Sequence, residues 1–138
     1  AELCALISAI AKLPINQGFA ITGSMNQHGE VQSIGGVNEK IEGFYRLCKD
    51  KGLTGQKGVI IPRTNTINLM LAPEIIQAVA DEQFAIYAVD NIDQAIEILM
   101  GRSAGEISRT GRYPRKSIHG LVLDKLSAFS ELINGVEE

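Results

Sequence analysis

The sequence predicts an α+β fold: small sheets, a hairpin near the N-terminus, and covering helices. Three observations lead there. An apolar run is followed directly by turn residues and a second, partly alternating run. Two further short apolar runs, each close to Gly or Pro punctuation, alternate with helical repeats. No internal repeat or low-complexity tract interrupts the alternation.

The elements follow in order. Ala1 to Leu13 carries Leu3, Leu6, Ile7 and Ile10 at helical spacing, with no capping residue before it. A helix that starts without its cap is expected to belong to a longer chain. Gly18 to Gly23 has strand character, Met25 to Gly29 supplies turn residues, and Glu30 to Ile34 is a second strand, so the segment reads as a hairpin. Gly35-Gly36 opens a helix over about Val37 to Lys51, which Gly52 closes. Val59-Ile60-Ile61 is a buried strand ending at Pro62. A loop and short helix come next, then a helix with Pro73 in its first turn that runs to about Glu82. Ala85 to Val89 is another strand. Asp90 or Asn91 caps a helix with Ile92, Ala95, Ile96 and Leu99 on one face, and Gly101 ends it. From Arg102 to Lys116 the composition turns to Gly, Ser and Arg, as in a connecting segment. Ser117 to Asn134 forms a tail helix whose Val122, Leu126, Phe129 and Ile133 make a stripe that must cover something, either this domain or a neighbour.

Composition narrows the function. The chain has 138 residues, net charge -3, 45% hydrophobic and 21% charged residues, and no Trp. That is one domain's worth of ordinary globular sequence, long enough to bury a core without metals or disulfides. No apolar run approaches the eighteen or so residues of a membrane helix, and no signal peptide is visible. A mildly acidic chain with few aromatics is not expected to bind nucleic acid. Cys4 and Cys48 sit singly in helix-like segments, so no disulfide framework or zinc site is indicated, and a reducing, cytoplasmic setting fits.

One lysine stands out. On a wheel at about 100° per residue, Val37, Ile41, Phe44, Tyr45 and Cys48 fall within roughly 80°. Glu39, Glu42, Arg46, Lys49 and Asp50 take the other side. Lys40 lies about 60° from Val37, flanking the stripe one turn from the helix start. Desolvation and the positive helix end both disfavour an ammonium there. A neutral lysine accepts a proton from a hydroxyl, as a Ser-Lys pair requires. The plainer alternative is a lysine that buries its stem and wets its amine.

Partners for that amine are few. Ser8, Ser24 and Ser33 lack a Gly-x-Ser-x-Gly setting, and structural or solvent-facing roles suit them. Thr22, on a strand expected beside Lys40, is placed to orient the amine. His28 and His119 have no carboxylate or cysteine at motif spacing, which argues against histidine catalysis and metal chemistry. Gly35-Gly36 lacks either phosphate-loop pattern. Arg109, Arg112, Arg115 and Lys116, with Tyr113 between them, read as a solvated linker.

The stretch from Phe19 to Lys40, FAITGSMNQHGEVQSIGGVNEK, resembles the peptidase domain of Lon-type ATP-dependent proteases. The match lies in the strand with Thr-Gly, the hairpin, and the Gly-Glu-Val-x-x-Ile-Gly-Gly-hydrophobic-x-Glu-Lys signature. The strand Gly58 to Pro62 and the strand ending at Val89 fit the same domain, so the resemblance covers about residues 1–101 and leaves 102–138 as linker and tail helix. It implies the ribosomal protein S5 domain 2-like fold, with Lys40 as catalytic base and Thr22 as its supporting threonine. It also places the nucleophilic serine a few residues before Ala1. Further implications are polypeptide substrates, a homo-hexameric ring, no cofactor in this domain, and ATP and Mg in a separate ATPase domain. Many members carry an acidic residue where this chain has Ser24, and the tail points to a divergent Lon-like branch. The competing expectation is a Lon-like assembly module without proteolysis, as in relatives that lack the Ser-Lys pair.

Overall fold

The computed structural model describes residues 1–135. They form two compact units, one of residues Asn16–Ala95 and one of Ala1–Ile15 together with the chain from Ile96 onward.

The first unit is built on a three-stranded parallel sheet. Strand β1 (Phe19–Ile21) pairs with β4 (Gly58–Pro62), and β4 pairs with β5 (Ala85–Val89), giving the order β1-β4-β5. The central strand β4 is buried at all five positions, which explains its unbroken apolar sequence: a parallel strand covered on both faces needs no polar alternation. A two-stranded antiparallel ribbon, β2 (Ser24–Met25) with β3 (Val31–Gln32), stands beside it. The expected hairpin is therefore present, but its first arm is not Gly18–Gly23. That apolar stretch is worth more as a strand of the buried sheet than as half of an exposed ribbon, and β1 goes to β4.

Helix α2 (Val37–Asp50) turns Val37, Ile41, Tyr45 and Cys48 into the core. They meet Val59 and Ile61 of β4, Ile75 and Ala78 of α3 (Pro73–Ala80), and Phe84. The Tyr45 and Phe84 rings lie edge to face with centroids 5.3 Å apart. Lys49 of α2 pairs with Glu74 of α3, which also accepts from the Tyr45 hydroxyl at 3.4 Å. Proline fits at the start of α3 because the first turn has no use for its missing N–H. The segment Arg63–Asn68 is a 3-10 helix. At the start of α4 (Ile92–Met100), Asn91 is the cap: its Oδ1 accepts from Gln94 N at 3.0 Å, and Gln94 Oε1 accepts from Asp90 N at 2.7 Å.

In the second unit, α1 (Glu2–Ala11) packs against α5 (Ile118–Asn134), with Ile10 and Ala11 facing Leu121 and Lys125 across the groove between them. Residues 102–116 are more than a connector. Ser103 O and Ala104 O accept from Ile118 N and His119 N, both at 3.0 Å, so the segment closes into a loop at the helix start. Ser117, buried, caps α5 by accepting from Gly120 N at 3.1 Å. A methyl group at Gly120 would collide with the Pro114 carbonyl oxygen, so only glycine lets the loop seat there.

Cys4 and Cys48 are free and buried, and burial pushes both thiols up. Among the described residues no His, Cys, Asp and Glu group is placed to hold a metal, and no helix is long and apolar enough to cross a membrane.

Candidate active site

Thr22 and the first turn of α2, which carries Lys40, lie at one edge of the parallel sheet. In such sheets the strand ends and the helix starts share an edge, and ligands bind there. Thr22 follows β1 directly, and its N–H donates to Ile60 O at 3.0 Å, extending the ladder one residue past the strand. The chain then makes the β2–β3 ribbon and returns to the start of α2. Asn26 builds the ribbon's turn: its Oδ1 accepts from His28 N at 2.9 Å and Glu30 N at 3.1 Å. The ribbon is moored to the turn after β5, because Val31 N donates to Asp90 O at 2.9 Å and Ile92 N donates to Gly29 O at 3.0 Å. Arg63, after β4, pairs with Asp90 at 2.9 Å and also donates to Ala88 O.

The Ile34-Gly35-Gly36 signature is held from outside its own sequence. Asn65, only 2% exposed, accepts from Ile34 N and donates to Ile34 O, both at 3.0 Å, as a backbone strand partner would. Asn38 donates to Asn68 O at 2.9 Å and accepts from Met70 N at 2.8 Å, tying the first turn of α2 to the same segment. Gly36 sits at φ 68°, a left-handed backbone that a side chain makes costly by roughly 1–2 kcal/mol. A cleft of about 340 Å³ results, lined by Gly35, Gly36, Asn38, Glu39, Asn65 and Asn68 among others. No lysine or arginine lines it, and Glu39 does; a magnesium triphosphate does not fit these residues.

Lys40 occupies the first turn of α2, its N–H donating to Gly36 O at 3.1 Å. Its side chain is exposed, contrary to the expectation of a position against the apolar stripe. The buried positions centre between Val37 and Tyr45 on the wheel, with Phe44 already only half buried, so Lys40 lies one step outside the covered arc. Thr22 is half buried. Ser24 and Ser33 are exposed around the ribbon, and Ser8 is spent in α1, donating to Leu13 O. The sequence reading missed Asn65 and Asn38. Their one available signal was an asparagine within three residues of a strand end or helix start, a weak one.

A mixed α/β domain with its polar residues at the carboxyl edge of a parallel sheet, around a Gly-Gly helix start, is the class that fold and site define. The chain belongs to the family of the Lon protease (S16) C-terminal proteolytic domain, which matches residues 1–102, and it is a Lon-like peptidase domain. A putative Lon protease homolog of Escherichia coli (strain K12) is 52% identical over 100 residues, covering 72% of this chain and 17% of that protein. A putative Lon protease homolog of Haemophilus influenzae is also 52% identical, over 102 residues, 74% of this chain and 17% of that protein. An archaeal Lon protease of Thermococcus kodakarensis is 40% identical over 96 residues, 70% of this chain and 13% of that protein. The chain spans about a sixth of the length of the first two.

Proposed function

We propose that this chain carries the base half of a Ser-Lys dyad that hydrolyses peptide bonds. In this reading Lys40 Nζ takes the proton of a serine hydroxyl contributed from before residue 1, as the serine oxygen attacks the scissile carbonyl carbon. The lysine returns that proton to the leaving amine, and water then cleaves the acyl-enzyme by the same route. Thr22 holds the amine in position. Oxyanion donors come from backbone amides beside the serine. Substrates are polypeptides, the assembly is a homo-hexameric ring in the cytoplasm, and ATP and Mg act in a separate ATPase domain of the full protein.

The observation that carries the reading is the shared edge. Thr22 at the end of β1 and Lys40 in the first turn of α2 lie on the side of the sheet where helix starts collect, and Asn65 and Asn38 fix that helix start against the 3-10 segment. The exposure of Lys40 adds a requirement: the serine's own segment or a neighbouring copy covers the amine. The same exposure favours the second reading, a Lon-like assembly module that does not cut.

The two separate on the full-length protein. A fluorophosphonate probe should label the upstream serine, Lys40→Ala should abolish both labelling and casein cleavage, and ring assembly should persist. Cleavage unaffected by Lys40→Ala removes the dyad and leaves the module.

A further inference from the structure

The loop before α5 concentrates positive charge that nothing within it neutralises. Four of the eight residues 109–116 are cations: Arg109, Arg112, Arg115 and Lys116. The nearest acidic residue in the loop is Glu106. Among the described residues no ion pair engages any of the four, and no hydrogen bond takes up the side chain of Arg112 or Arg115. Like charges confined to one short loop repel, so the arrangement is unfavourable until an anion joins it.

The loop that carries them is built, not slack. Ser108 N donates to Arg112 O at 2.8 Å, and Ser108 Oγ accepts from Arg112 N at 3.2 Å, which pins the Arg112 backbone on both sides. Gly111 supplies the left-handed turn between them, at φ 75°. The Tyr113 ring packs on His119 with centroids 5.1 Å apart. Pro114 O accepts from Ser117 N at 3.0 Å and from Ser117 Oγ at 2.7 Å, and Gly120 closes up against the same carbonyl.

Between loop and helix lies a cavity of about 480 Å³, with Arg112, Tyr113, Arg115, Leu123 and Asp124 in its walls. That volume falls within the roughly 300–1,000 Å³ of small-ligand sites. The charge comes from side chains and not from a bare helix end, because the first N–H groups of α5 already donate to Ser103 O, Ala104 O and Ser117 Oγ. A guanidinium presents a planar fork of donors that matches a carboxylate or a phosphate. Asp124 decides between them. Two guanidiniums and one carboxylate leave a single positive charge on the walls, which one carboxylate balances and a phosphate dianion overshoots. Asp124 also calls for a donor, and a peptide backbone brings one. Leu123, 46% exposed, and the Tyr113 ring offer such a chain an apolar wall.

We propose that this cavity docks an acidic segment of another polypeptide, with an Asp or Glu carboxylate on Arg112 and Arg115 and a backbone N–H on Asp124. The site draws only on residues beyond the family's matched segment, so it stands or falls separately from the Ser-Lys reading.

Fluorescence anisotropy on the intact chain tests it, with a labelled hexaglutamate peptide as probe. The probe should bind, and a labelled hexaglutamine peptide should not. Arg112→Gln with Arg115→Gln should weaken binding about tenfold or more while circular dichroism stays unchanged. Arg109→Gln with Lys116→Gln removes the same charge from outside the cavity and should weaken binding by less than about threefold, as screened surface charges do. Inorganic phosphate and a single-stranded oligothymidylate, each at the peptide's concentration, should fail to displace it. Absence of hexaglutamate binding overturns the proposal. Equal losses from the two double variants also overturn it, since they assign the binding to the loop's overall charge. Displacement by phosphate or by the oligothymidylate overturns the peptide as the occupant.

Discussion

Helices α2 and α5 each carry an apolar stripe that is plain in the sequence, and only one of the two is buried. In α2, Val37, Ile41, Tyr45 and Cys48 are all under 5% exposed, closed in by β4, α3 and Phe84. In α5, Phe129 and Ile133 stay open. Spacing identifies which face of a helix is apolar; it does not identify what covers that face. That information sits in other segments, whose strands and loops either reach the stripe or do not.

The comparison is sharpest where function enters. In the full-length protein, Lys40→Ala should lower peptide cleavage on the order of 10³-fold or more, the scale seen when one member of a catalytic group is removed. Lys125→Ala, on the tail helix, should leave cleavage within about twofold; equal losses would erase the distinction between the two units. Next in size is the core. Ile41→Ala should cost about 2–5 kcal/mol in denaturant unfolding, because it leaves a cavity in a fully enclosed site. Phe129→Ala, read at low concentration, should stay within about 0.5 kcal/mol, as befits a surface position. Similar values for the two would show that α5 is covered after all. Asn65→Ala removes both partners of the Ile34 backbone groups and should cost about 1–3 kcal/mol by the same measurement, with faster hydrogen exchange at the Ile34 amide.

The smallest effect is a matter of sign. The Lys49 ammonium, bonded to Glu74, holds that carboxyl below the usual range, and Glu74 in turn raises Lys49. The Glu74 contribution is therefore present above its unfolded pKa and is lost as pH falls through the lowered folded value. The Lys49 contribution is present below its unfolded pKa and is lost as pH rises through the raised one. Glu74→Gln should flatten the acid side of the stability profile; a steeper acid side would contradict the pairing.

Much of the fold is legible in the residues. The helix bounded by Gly36 and Gly52, the strand before Pro62, the proline-started α3 and the capped α4 lie where turn chemistry and periodicity place them, since each signal is local. The partner of β1 was not legible. Choosing between a neighbouring ribbon arm and a distant buried strand depends on which buries more apolar surface, and that is a property of the assembled sheet. The loop at 102–116 has the composition of a linker, and its order comes from two backbone bonds and a buried serine that composition does not encode. At the candidate site, the signature marks Lys40 and Thr22 as the proposed base and its support. The exposure of Lys40 was not legible, because a wheel gives angles and the width of the covered arc depends on neighbours. Asn65 and Asn38 escaped for a related reason: asparagine is common in loops, and its bonds are made to residues about thirty positions away.

Those long-range bonds set an order of events during synthesis. The Gly-Gly turn and the lysine beside it are translated well before residues 63–70, yet the grip on the turn comes from Asn65, Asn68 and Met70. A nascent chain that has emerged only to residue 50 therefore lacks the brace that fixes the lysine's helix start, and it gains that brace only when β4 and the segment after it have left the ribosome. The start of α2 cannot be braced before the central strand β4 and the segment after it have arrived.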